Sequence, residues 1–237
     1  MKTKDVKNII KDSLGLANAD ECTDEQTAQE VNEAYVAQPK VYNQNTNKLT
    51  EQTKKAHSEI YKHYIDSFNS VSAQLDAIDL HQGTLNPDNS IFRSLKQNET
   101  SNMNAVWLHE LYFANSSDTN SEILMESLAY MKLQQDFGSF DKWQKDFISC
   151  ALVTDVGWVV TGYNVFLKRF HNFSIEENAT NLPLGTYPVI VLDMWEHASR
   201  DYMTKRKEYI FGQMKELNWS VIEDRFKKAV KIAEVLK

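Results

Sequence analysis

The chain is poor in the two residues that break regular structure, with 7 glycines and 4 prolines among 237 residues. That scarcity excludes a turn-rich all-β fold and predicts long, mostly helical elements. Cysteine is rarer still, with Cys22 and Cys150 the only two. Two thiols cannot build a disulfide framework or a thiolate zinc site, and they suit a reducing compartment. Long apolar runs are missing as well: Val189-Ile190-Val191-Leu192 has the length of a strand, far short of a membrane span. The first arginine is Arg93, and the opening residues carry charge throughout, so neither an export signal nor a mitochondrial leader is expected. Nor is there a basic excess. Lys and Arg total 26 against 33 Asp and Glu, and a net charge of −7 argues against a nucleic-acid scaffold. The expectation is a cytoplasmic protein, or a component of a virion or other large particle, with neither nucleic acid nor membrane as partner.

What is present is an ordinary globular composition, 42% hydrophobic and 25% charged, which excludes wholesale disorder. The texture divides the chain into three regions. Residues 1–47 form a polar extension in which Val6, Ile9, Ile10 and Leu14 fall at helical spacing before Gly15. A second weak helix is predicted over Asp24 to Tyr35, and Gln38-Pro39-Lys40 with the Asn-rich stretch to Asn47 reads as a linker. This region is either a disordered tail or an arm that docks on another subunit or a larger particle.

Residues 48–117 read as a helical hairpin. Thr50 is a good N-cap for a first helix reaching about Leu80, and Gly83, Asn86, Pro87 and Asp88 break the pattern. A second helix passes through Val106, His109 and Phe113. The polar run Asn115 to Asn120 then introduces residues 118–237, whose texture is α/β. Helices are predicted around Glu122 to Gln135 and Phe140 to Leu152. Trp158 to Tyr163 and Phe166 to Ile175 look like a β-hairpin across Asn164, and Pro188 to Leu192 like a third, buried strand. Helices return over Tyr202 to Lys215 and Ser220 to Leu236. The fold class is α+β.

Asp193-Met194-Trp195-Glu196-His197-Ala198 follows the apolar strand directly. A carboxylate and an imidazole leaving a strand end can share a metal in the crevice at the sheet edge. On its own, Asp-x-x-x-His is a weak signal, and a capping Asp beside a hydrogen-bonded His is the better reading of it.

Taken whole, Val191 to Ala198 resembles the signature of the iron/manganese superoxide dismutases, and the chain from about Leu49 to its end resembles the family in the same order. Asp136 to Trp143 looks like the family's helix start before its sheet. Gly157-Trp158 matches the end of a Gly-Ser-Gly-Trp motif, with Asp155 and Val156 in place of its first two residues. Asn181-Leu182-Pro183-Leu184-Gly185 precedes the third strand as in many members, and Leu217-Asn218-Trp219 and Arg225-Phe226 match the closing features. The resemblance implies a three-stranded antiparallel sheet and one iron or manganese ion held by three His and one Asp. Carried over by motif, these are Asp193 and His197, His109 on the second hairpin helix, and His57 on the first.

Three neutral imidazoles and one carboxylate suit such an ion and leave room for a solvent ligand. With ligands on both halves, the metal would clip hairpin to α/β region. His63, His81 and His171 are expected to be surface or structural residues. Trp107, Trp158, Trp195 and Tyr112 are expected to line the pocket, and Lys54, Lys55, Lys205, Arg206 and Lys207 either steer superoxide or form solvated faces.

The departures are specific. The family follows its first ligand with a His four residues on and a Tyr eight residues on; here those positions are Tyr61 and Ile65, and Tyr64 lies seven residues after His57. Seven residues share a helix face, so Tyr64 is the expected gate phenol. Either a local helix irregularity absorbs the difference, or Ala56 stands at the ligand position and the site is broken. The amide that the family sets beside its bound solvent falls at Ala105 or Asn178, so Asn178, shorter than Gln, is the expected donor. In the family, Glu196 would reach a partner's His197 across a homodimer, whereas the family's interface Tyr is replaced by Ser199 and Arg200. The resemblance therefore implies a superoxide dismutase with superoxide as substrate. The alternative is a structural subunit that uses the same fold in a larger assembly.

Overall fold

The computed structural model describes residues 36–78, 80, 85–88, 90–116 and 121–235. The helices expected before Tyr35, Cys22, His81 and most of the polar run before Ser121 lie outside these. Helix α1 (Glu51–Ala77) starts where Thr50 accepts a hydrogen bond from the Thr53 amide at 3.2 Å. A residue distant in sequence completes the cap: the Asp201 carboxylate accepts from the Thr50 amide at 2.8 Å and the Thr53 hydroxyl at 2.9 Å. Helix α2 (Ile91–Asn115) is capped by Ser90, and Asn86 turns the chain ahead of it by accepting from the Asp88 amide. Thr53, His57, Tyr61 and Ile65 recur every four residues as the buried stripe of α1, and α2 packs along that helix.

Residues 37–47 pack as a strap on this hairpin. Ala37 exchanges two 2.9 Å hydrogen bonds with the Asn69 side chain, the Tyr42 ring lies 5.7 Å from Phe113, and the Thr46 hydroxyl donates to Glu216. Sequence patterning reads this stretch as linker because its hydrogen bonds go to side chains, which leave no periodicity.

Helix α3 (Leu128–Phe137) begins later than expected because Ser127 caps it and the Glu223 carboxylate accepts from the Leu128 and Ala129 amides. Gly138, at φ +83°, closes α3, and Ser139 caps α4 (Phe140–Val153). Strands β1 (Gly157–Asn164), β2 (Arg169–Glu176) and β3 (Thr186–Asp193) make an antiparallel sheet in the order β2-β1-β3. The turn between β1 and β2 forms around Asn164, whose side chain accepts from the Phe166 and Leu167 amides. Gly157 must be glycine: at φ +145°, an added Cβ would lie 2.0 Å from the Ile175 carbonyl oxygen. Helices α2 and α7 pack on β3, α3 and α4 on β2, which explains why β1 and Val189 to Asp193 are buried.

After β3 come a one-turn helix α5 (Glu196–Ser199), a 3-10 turn (Arg200–Tyr202), α6 (Arg206–Lys215) and α7 (Trp219–Val235). The tight turn that delivers Asp201 to Thr50 is the reason α6 starts at 206 and not at 202. Arg225 on α7 is buried and ties the layers together. Its guanidinium donates to the Asn115 side chain, to the Val189 carbonyl at 3.1 Å and to the Leu111 carbonyl at 3.0 Å. Burial lowers its pKa to about 10, so it stays charged at neutral pH. No helix among the described residues is long and apolar enough to cross a membrane.

Candidate metal centre

The sheet delivers Asp193 at the last position of β3, paired across the ladder with Trp158. Its Oδ1 accepts from the Trp195 amide at 2.8 Å, and its main-chain carbonyl accepts from the Tyr209 hydroxyl at 2.6 Å. Oδ2 is thereby turned inward. Three imidazoles meet it: His57 Nε2 at 3.0 Å, His197 Nε2 at 3.3 Å and His109 Nε2 at 3.9 Å. One ligand atom from each of the four residues lies within 4.8 Å of the others. His57 and His109 are fully buried, and the His197 side chain is 15% exposed.

Each imidazole is aimed by its own element. His109 Nδ1 donates to the Ala105 carbonyl one helical turn back, at 2.7 Å, which fixes the tautomer and leaves the Nε2 lone pair facing Oδ2. His197 projects from the first turn of α5, four residues after Asp193, with its ring stacked on Trp195 at 5.9 Å. The His57 ring packs 5.2 Å from Tyr112 and 4.8 Å, edge-on, from Phe113. No irregularity is needed in α1: His57 and Tyr64, two turns apart on a continuous helix, both face the site, and Ile65 goes to the core. His57, not Ala56, is the residue at the site.

The electrostatics suit a cation. Burial pushes the Asp193 carboxyl up, but its close contacts with His197 and His57 outweigh it and hold the group below the ordinary carboxylate range. Burial likewise lowers His57, and takes His109 down to about 3. His109 Nε2 and His197 Nε2 are buried without a hydrogen-bond partner. His197 Nε2 is close enough to Oδ2 but poorly aligned for a hydrogen bond. Buried polar atoms without partners are costly, and a cation at the centre would satisfy both nitrogens and the carboxylate together. The donor set therefore fits a borderline ion such as iron or manganese.

These shifts predict acid sensitivity. With its pKa lowered, His109 stays neutral in the fold while the unfolded chain takes up a proton below 6.5. The unfolded state then binds more protons, so stability falls as pH drops from 6.5 towards 3. The lowered Asp193 adds loss in the same direction at the acid end. Thermal melts of metal-free protein from pH 8 to 3 should show this decline, with a shallower slope in His109→Gln.

Other expected site residues are placed as follows. Asn178 is buried; its Oδ1 accepts from the Trp158 indole at 2.9 Å, and its Nδ2 donates to the Tyr64 hydroxyl at 3.4 Å. The Tyr64 ring is 5.4 Å from His109, and Trp158 is 4.8 Å from it. Trp107 does not line the pocket: two residues from His109, it projects from another side of α2, 44% exposed and edge-on to Tyr187. Lys54 and Lys205 pair with Glu51 and Glu208, and Arg206 donates to the Ala151 carbonyl. His63 is exposed and His171 half-buried.

Sequence reasoning missed a second layer. Tyr61 donates to Glu110 at 3.0 Å while Lys40 from the strap holds the other Glu110 oxygen at 2.5 Å, next in sequence to His109. Tyr209 steadies Asp193, and Asp201 steadies the start of α1. The one available signal was Glu110 beside a ligand on an apolar helix face.

A helical hairpin and an α/β domain that together enclose a mononuclear centre of three His and one Asp define a redox-metal protein. The profile of the iron/manganese superoxide dismutases, C-terminal domain, matches residues 126–225. An iron superoxide dismutase of Aquifex aeolicus is 34% identical over 180 residues, covering 75% of this chain and 83% of that protein. A manganese superoxide dismutase of Nocardia asteroides is 32% identical over 124 residues, 52% of this chain and 59% of its own. One from Cupriavidus metallidurans, an iron enzyme, is 30% identical over 178 residues, 73% and 88% of the two chains. This chain belongs to the iron/manganese superoxide dismutase family.

Proposed function

We propose that the chain is a superoxide dismutase with one iron or manganese ion held by His57, His109, Asp193 and His197. The convergence of three imidazole nitrogens on one buried carboxylate oxygen carries this reading. The bound ion would supply the redox change, accepting an electron from one superoxide and returning it to another. Two superoxides and two protons thus give one oxygen and one hydrogen peroxide.

The chain's own part is orientation and proton supply. The Trp158 indole N–H, fixed on Asn178 Oδ1, leaves the Asn178 amide protons directed at Tyr64. The Tyr64 phenol, held beside His109, is then placed to order water and pass a proton to reduced superoxide. Trp158 and Tyr112 exclude bulk water from the ligands. Glu196 is exposed beside His197, the one ligand with side-chain exposure, which supports a homodimer in which Glu196 meets the partner subunit. The alternative of a structural subunit draws on the N-terminal extension, but a pure scaffold needs no buried ligand set.

The test is dismutation by full-length protein loaded with iron or manganese, with metal content measured on the same sample. Fully metallated but inactive protein would overturn the proposal. Within it, Tyr64→Phe and Asn178→Ala should each keep metal and lower the rate about 2- to 10-fold, the worth of one hydrogen bond.

A further inference from the structure

Asn178 sits in a turn the chain builds with care. Glu176 and Thr180 exchange backbone hydrogen bonds of 3.0 and 3.1 Å, the Glu177 amide donates to the Val156 carbonyl at 2.9 Å, and Glu177 takes φ +52°. Such a turn presents its tip as a rigid unit, so where the tip stands decides where the Asn178 side chain reaches. The contact to Tyr64, at 3.4 Å, is near the limit of a hydrogen bond, whereas the Trp158 contact at 2.9 Å is not. A shift of a few tenths of an ångström would break the first and spare the second.

One side chain of the hairpin fixes that tip. Asn104 on α2 is buried and donates through Nδ2 to the Asn178 main-chain carbonyl at 2.9 Å, across 74 residues of sequence. The carbonyl can only accept, so the orientation of the Asn104 amide is settled by its partner. With Trp158 on Oδ1 and Asn104 on the main-chain oxygen, the residue is held from the sheet and from the hairpin at once. Asn104 is five residues before His109 on the same helix, so α2 sets both the ligand and the tip.

We infer that Asn104 is a positioning residue for the gate: its amide draws the 176–180 turn towards α2 so that the short Asn178 side chain reaches Tyr64. The inference rests on the proposed role of Tyr64 and Asn178 in dismutation. Asn104→Asp keeps the shape and loses the donor; Asn104→Gln keeps a donor and serves as rescue.

The test has two arms on full-length, metal-loaded protein. In crystals, Asn104→Asp should lengthen the Tyr64–Asn178 contact beyond hydrogen-bond reach, with the four ligands and the metal content unchanged. In a double-mutant cycle, Asn104→Asp should lower dismutation about 3- to 10-fold in the parent and less than about 2-fold in Asn178→Ala. Asn104→Gln should keep more than about half of the parent rate, since it retains the donor. An unchanged Tyr64–Asn178 contact, equal losses in both backgrounds, or equal losses in the Asp and Gln variants would overturn the inference. A metallated parent without activity would sink the dismutase reading alone, and the crystallographic arm would still decide Asn104.

Discussion

His109→Ala is expected to lower both metal affinity and dismutation by more than about 100-fold, since losing even an outer partner of a ligand costs about 10- to 100-fold. Three features set this scale. His109 is held neutral by burial, its tautomer is fixed by the Ala105 carbonyl, and its Nε2 has no protein partner to relinquish. The variant removes a ready lone pair and opens a hole between Tyr64 and Trp158. Metal analysis and superoxide assay on one sample, with a melting curve as folding control, measure the effect. A folded His109→Ala protein that keeps its metal and its rate would refute the ligand assignment.

The second large effect concerns stability. Arg225→Met should destabilise the fold by about 3 to 5 kcal/mol, because three buried acceptors lose their donor at roughly 1 to 3 kcal/mol each, offset in part by removing a buried charge. The Leu111 and Val189 carbonyls and the Asn115 side chain would each lose a charged donor in a site that water does not reach. For a chain of this length, each kcal/mol moves the melting temperature by about 2 to 4 °C, so a drop on the order of 10 °C is expected. Arg225→Lys should recover part of it, because a single ammonium cannot span three acceptors on two layers. Differential scanning calorimetry at neutral pH, with metal content matched, reads the difference. A change under about 1 kcal/mol in Arg225→Met would show that the clamp is not a principal tie between hairpin, sheet and α7.

The elements were legible because their signals are local. Thr50 is a cap that any helix needs, Asn164 starts a turn within four residues, and β-branched runs mark the strands. The strap at 37–47 was not legible, since its partners Asn69, Glu110 and Glu216 lie far along the chain. The late starts of α3 and α6 are likewise long-range: Glu223 reaches the start of α3 from α7, and Asp201, just before α6, is drawn to Thr50, which no window of neighbouring residues contains.

The metal site divides along the same line. Asp193 and His197 share one short motif at the end of an apolar strand, and the family resemblance of the sequence added His109 and His57, so the sequence itself pointed to all four ligands. It also brought Tyr64 to the face of His57, because seven residues make two helical turns. Tertiary structure decided the rest. It chose His57 over Ala56 by the rotation of α1 against α2, and turned Trp107 away from the pocket. It joined Asn104 to Asn178 across 74 residues. The physical reason is range: capping, turn and periodic signals act over a few residues, whereas the aim of a buried side chain is set by whichever distant surface packs against it.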